Sequence, residues 1–157
     1  MMKTLWFLIL LMISGLCLAA GEGIDFTGAV KLFKTHGTFE EVVDNIKMAI
    51  EERGMLVSGT LHVSDMLNRT GPDLGYQQVF ERAESVEFCS ASISHQMTQV
   101  APENLVICPF TLSVFIRQDE PEQIYVAYRR LHLAGKAEQV TASIYEMLNG
   151  IIEDSIE

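Results

Sequence analysis

Between Thr38 and Gly54, Phe39, Val42, Val43, Ile46, Ala49 and Ile50 recur every three or four positions, with mostly polar residues between them. That spacing lays one apolar stripe along a helix. Thr38 and Glu41 stand where a capping box needs a hydroxyl and a carboxylate, and Gly54 after Arg53 supplies a left-handed stop. Upstream, Ala29 to Thr35 sets Val30, Leu32 and Thr35 against Lys31 and Lys34 and predicts a strand ended by His36-Gly37. Downstream, Met55, Val57, Gly59, Leu61 and Val63 share one parity and Ser58, Thr60 and His62 the other, the period of a half-buried strand.

Ser64 then caps a short helical turn over Asp65 to Asn68, and Gly71-Pro72-Asp73-Leu74-Gly75 holds enough turn formers to predict a surface loop. Val86 and Phe88 predict a short strand ending at Cys89. A helix follows from Ser92 to Val100, with Ile93, Met97 and Val100 inward and Ala101-Pro102 as its end. Leu105 to Ile116 is β-prone, with Phe110, Leu112, Val114 and Ile116 on one parity. Pro109, which lacks an amide hydrogen, marks an edge or bulge within it. The polar turn Asp119-Glu120-Pro121-Glu122 leads into a returning strand, Ile124 to Tyr128, and so makes a hairpin. The last helix, 136–154, aligns Val140, Ile144, Met147, Leu148 and Ile151.

The order β-α-β-(α)-β-α-β-β-α predicts an α+β two-layer sandwich, helices packed on a mostly antiparallel sheet. The opposite sheet face would carry His62, Phe115 and Tyr125, to be covered by the final helix, a loop or a second copy of the chain.

The front end reads as an export signal. Met1, Met2 and Lys3 make a short positive start, Leu5 to Leu18 carries no charge, and Ala19 and Ala20 offer a cleavage site. Fourteen helical residues reach only about 21 Å, short of a hydrocarbon core of roughly 30 Å, so the run favours a cleaved signal over a membrane span. Leu16 stands where a lipobox needs a small residue, so Cys17 is expected to leave with the signal. The remaining 21–157 form a single domain, secreted or periplasmic and with no membrane contact after cleavage.

The chain carries 11 Lys and Arg against 21 Asp and Glu, a formal charge of −10. Such a surface gives counterion release nothing to work on, which argues against a nucleic-acid partner. No P-loop, Gly-x-Gly-x-x-Gly, His-Glu-x-x-His or Gly-x-Ser-x-Gly occurs, so no catalytic residue is nominated. Asn68-Arg69-Thr70 fits a glycosylation sequon, a triplet too common to decide anything.

Cys89 and Cys108 are the chemical question. A bridge between them would close a loop worth roughly 3 kcal/mol in the chain-entropy model, but two separate packed thiols, or one functional thiol, fit the pattern as well. The Cys-x-x-Cys spacing of thiol oxidoreductases is absent. His95 and Met97, near Cys89, are soft ligands suited to copper or haem iron. On a helix they lie about 200° apart and cannot share a metal. His36, His62 and His132 are scattered, so no metal or cofactor is assigned. Arg129 and Arg130 at a strand end could hold a carboxylate, sulfate or thiosulfonate-like anion.

Several blocks occur in a telling order: Thr38-Phe39-Glu40-Glu41-Val42-Val43 with Glu52-Arg53-Gly54, Phe88-Cys89-Ser90-Ala91, Pro102-Glu103-Asn104-Leu105 with Cys108-Pro109-Phe110, and Tyr125-Val126-Ala127-Tyr128-Arg129-Arg130. Over about 26–132 the chain resembles the domain of unknown function 302 family. The resemblance implies a TBP-like α+β fold, a homodimer and no assigned activity. It also places the chain in an exported two-cysteine branch found beside redox and sulfur-handling systems. Many relatives lack one or both cysteines, so no family-wide thiol chemistry is implied. The expectation is a non-enzymatic exported domain that binds a small ligand or exported protein partner in a redox or sulfur-related process. The alternatives are a thiol-dependent redox factor using Cys89 and Cys108, and a haem or copper carrier.

Overall fold

The computed structural model describes residues 24–25 and 28–156. The expected signal segment and Cys17 lie outside them. In chain order the elements are β1 (Ile24–Asp25), β2 (Val30–Thr35), α1 (Phe39–Glu52), β3 (Leu56–His62), α2 (Val63–Leu74), β4 (Phe80–Cys89), α3 (Ala91–Val100), a 3-10 turn (Pro102–Ile107), β5 (Phe110–Arg117), β6 (Glu120–Arg129) and α4 (Glu138–Ser155). The strands form one sheet in the order β1-β2-β6-β5-β4-β3, every neighbouring pair antiparallel. The expected α+β sandwich is what forms.

α1 follows its sequence signals closely. The Glu41 amide donates to the Thr38 hydroxyl at 3.3 Å while the Thr38 amide donates to the Glu41 carboxylate at 3.0 Å. The six expected apolar residues are buried. At the other end Gly54 takes a φ of 70°, and the Met55 amide closes back on the Ile50 carbonyl at 3.2 Å. α1 and α4 pack over one sheet face, where Ile46, Ile50, Ile144, Leu148 and Ile151 meet Val86, Phe88, Phe110, Leu112, Val114 and Val126. The hairpin forms and the parity of β5 stands as expected, but the turn is only Gln118-Asp119, and Glu120, Pro121 and Glu122 already belong to β6.

Several local expectations fail, each for a physical reason. In β2 the parity is reversed: Phe33 enters the main core against Tyr128, whereas Leu32 faces away and Val30 is exposed. Both faces of the partner strand β6 are apolar, so the larger aromatic takes the deeper site, and Lys31 is thereby turned toward α4. In β3 a bulge between Val57 and Gly59 breaks the alternation, so Val57 packs on the core but Leu61 is exposed. The region 105–109 is not strand; Pro102 opens a 3-10 turn, the Cys108–Pro109 bond is cis, and β5 starts only at Phe110. The expected loop 71–75 is mostly helix. α2 runs through Gly71-Pro72 to Leu74, and its turn formers serve as its stop: Gly75 has a φ of 75°, its amide bonds the Pro72 carbonyl, and the Tyr76 amide bonds the Gly71 carbonyl. Ser64 is no cap but a buried hydroxyl donating to the Ala83 carbonyl of β4.

The second sheet face is not covered by α4, which lies with α1. Tyr125 is only 1% exposed. Its ring stacks on Phe115 at 5.3 Å, the Arg117 guanidinium lies 4.4 Å from its centroid and the Lys34 ammonium 5.4 Å, and its hydroxyl donates to Glu120. His62, expected on that face, instead pairs in register with Glu84 and contacts its carboxylate at 3.2 Å.

Candidate functional site

Three places hold the chemistry. The first is the cysteine pair. Cys89 ends β4 and Cys108 follows the 3-10 turn, and their Cα atoms are 6.2 Å apart, joined as a disulfide. Both residues are half-buried. Cys89 directly precedes Ser90, whose hydroxyl caps α3 by accepting from the Ile93 amide at 3.5 Å. The loop the bridge closes is held independently by Asn104. Buried at 3% exposure, it accepts from the Ala134 amide at 2.8 Å and donates to the carbonyls of Met97 at 3.0 Å and Ala134 at 3.2 Å.

The second is a groove of about 570 Å³ along α2 and the segment after it, lined by Leu67, Asn68, Thr70, Gly71, Pro72, Leu74, Tyr76, Gln77, Gln78 and Val79. None of these side chains is ionised at neutral pH, and Leu74 and Tyr76 are 66% and 73% exposed. A volume in this range with a mostly apolar lining and a few amides matches small-molecule pockets. Sequence reasoning missed it because Gly71-Pro72 read as the end of structure. The available signal was Leu67, Thr70 and Leu74 at helical spacing across that dipeptide.

The third is a cleft of about 200 Å³ between β2, the end of β6 and α4, lined by Lys31, Tyr128, Arg130, Tyr145 and Asn149. The two candidate arginines part here. Arg130 borders the cleft, while exposed Arg129 pairs in register with exposed Val30, one step out of phase with the Lys31–Tyr128 pair that lines it. The glycine-rich segment at 71–75 lines the α2 groove and shares no residue with this cleft.

The remaining candidates do not converge. Met97 is wholly buried in the core while His95 is exposed, so the soft-ligand cluster is not assembled. Among the described residues no group of three or more His, Cys, Asp or Glu is placed to hold a metal ion. The hydroxyls of Ser85 and Ser113 bond each other at 2.8 Å, and Ser64 and Ser143 donate to backbone carbonyls. Three carboxylates titrate low for local reasons, Glu41 among them through its hydrogen bonds with Thr38. A hydrogen bond from Arg82, with its charge, lowers Glu40, and a hydrogen bond from Tyr125 lowers Glu120. Burial, then the Glu120 bond, raises Tyr125.

No curated protein matches the chain. Its fold is similar to the crystal structure of an uncharacterized conserved DUF302 protein from Bacillus stearothermophilus, with a TM-score of 0.64 at 12% identity over 80% of this chain and 97% of that one. The model of the DUF302 family, a domain of unknown function, matches residues 32–155. That stretch runs from β2 through α4, further than the resemblance at 26–132, so the last helix is part of the same domain and the chain belongs to the DUF302 family.

Proposed function

We propose that the protein is a non-catalytic, exported binding domain whose ligand is a small, uncharged and largely apolar molecule seated in the α2 groove. The observation that carries this is the lining: in a chain of net charge −10, the ten residues around one 570 Å³ groove include no Asp, Glu, Lys, Arg or His. An ionic ligand would lose its hydration there without gaining a counter-charge, whereas an apolar one would cover Leu67, Leu74, Tyr76 and Val79. The amides of Asn68, Gln77 and Gln78 can accept or donate one or two orienting hydrogen bonds.

The test pairs two dyes with one ring skeleton: neutral N-phenyl-1-naphthylamine and its anionic relative 1-anilinonaphthalene-8-sulfonate. The neutral dye is expected to bind saturably with a fluorescence gain, the sulfonate more weakly, and Leu67→Glu with Leu74→Glu to abolish the gain while melting as wild type does, because both side chains are exposed. An unsaturable response, or equal binding by the double variant, overturns the reading. So does a dimer in sedimentation that the double variant dissolves while the dye fails to bind, since the groove would then serve a second copy.

A thiol-dependent redox role is the second reading, favoured by the half-buried Cys89–Cys108 bridge. Once reduced, Cys89 would lie just ahead of the N-terminus of α3, where helix amides favour a thiolate. Alkylation after stoichiometric reductant checks this: selective labelling of Cys89 below neutral pH supports it, and two inert sulfurs end it. The link to a redox or sulfur-related process belongs to this reading.

A further inference from the structure

Two positive side chains and a fixed carboxamide meet on the rim between β2, β6 and α4. Lys31 reaches there because β2 reverses its expected parity, and its ammonium donates to the Asn149 Oδ1 at 3.1 Å. The Tyr128 hydroxyl donates to the same oxygen at 2.7 Å. With two donors on that oxygen the amide orientation is set, which leaves the NH₂ end of Asn149, a residue of the cleft lining, as a pair of donors. Tyr145, one helical turn before Asn149, stacks its ring on Tyr128 with centroids 6.0 Å apart. Its own hydroxyl is held by the Leu131 amide at 2.9 Å. The wall is therefore flat, aromatic and fixed. Arg130 keeps an interaction of its own and enters as a second positive charge on the rim.

We propose that this cleft binds a small organic oxyanion, a carboxylate or sulfonate, with its charged head on Lys31 and the Asn149 amide and its apolar part against Tyr145. The volume of about 200 Å³ equals the space of roughly seven waters at about 30 Å³ each. That room takes the head and a short or single-ring body, and nothing of nucleotide size. An ammonium retains two further N–H donors after its bond to Asn149, and charge-assisted bonds from such groups are about twice as strong as neutral ones. The site shares no residue with the α2 groove, so the two proposals stand or fall separately.

The experiment is a nitrogen–proton NMR titration of residues 21–157, at constant ionic strength, with sodium benzoate, sodium benzenesulfonate and neutral benzyl alcohol. The anions are expected to move the Asn149 side-chain amide pair saturably and benzyl alcohol to leave it in place. Lys31→Gln retains a donor toward Asn149 but no charge, and should weaken anion binding about tenfold or more. Arg130→Gln, on the exposed rim, should weaken it less, and Arg129→Gln should not change it. Linear shifts without saturation, equal shifts with benzyl alcohol, or wild-type affinity in Lys31→Gln would each overturn the proposal. Should Lys31→Gln fail to fold, Lys31→Arg decides: retained binding supports the charge, and lost binding with an unshifted melt refutes it.

Discussion

Cutting the Cys89–Cys108 bridge should destabilise the domain without dismantling it. The bridge spans a sequence separation of 19, and closing a loop of that length costs the unfolded chain about 3 kcal/mol of conformational entropy at room temperature. The segment inside the loop does not depend on the sulfurs for its native place. Ile93 and Met97 are buried in the main core, and Asn104 ties the 3-10 turn to both the end of α3 and the backbone at Ala134. The loss should therefore fall on the unfolded state. For a domain of this size it corresponds to a melting temperature lower by about 10 °C, with a slightly steeper urea dependence because the uncrosslinked chain expands further. The assay is urea and thermal unfolding of the oxidised protein, the reduced protein and Cys89→Ala with Cys108→Ala. Reduced and doubly substituted forms should agree with each other and retain the native circular dichroism of the oxidised form. Stability within about 1 kcal/mol of the oxidised form would refute the entropic account, and loss of the fold would show that the sulfurs organise the core.

Asn104→Ala should cost about 2–4 kcal/mol in urea unfolding, because it empties a buried side-chain site and removes three hydrogen bonds that tie the 3-10 turn to the backbone at Met97 and Ala134. Thr38→Ala removes the reciprocal cap of α1 and should cost about 1 kcal/mol, while Glu41→Gln should cost less. Gly75→Ala forces a Cβ into the left-handed turn that ends α2 and should cost about 1 kcal/mol, read in the same assay. The carboxyls of Glu40, Glu41 and Glu120 are all lowered in the folded protein, by Arg82, Thr38 and Tyr125 respectively. Their contribution is complete above the ordinary carboxyl value and is lost as the pH falls through the lowered ones. The urea midpoint should thus drop on acidification, and Glu120→Gln should flatten part of that drop. Tyr125 is raised, so its neutral form stabilises the fold below the ordinary tyrosine value, and that contribution fades as the pH rises through the raised one.

Local chemistry set the elements whose instructions lie within a few residues. The α1 stripe with its Thr38–Glu41 cap and Gly54 stop, the parity of β5 and the apolar face of α4 follow from side-chain period and capping bonds that need no distant partner. The cysteine and arginine pairs could be picked out as residue types, and with them the two-layer class of the fold. The choice between a bridge and two thiols could not, because it depends on the 3-10 turn that brings Cys108 back to the end of β4. Nor could the role of Lys31, which a one-residue change of parity moves from solvent to the α4 side, a choice made by β6 across the sheet. The α2 groove was hidden for a related reason: Gly71 and Pro72 have weak helix propensity, and only packing against β4 with the closing bonds at Gly75 outweighs it. Where the energy comes from neighbours three or four residues away, the chain alone decides; where competing faces are nearly equal in hydrophobicity, the decision belongs to the strand or helix that arrives from elsewhere.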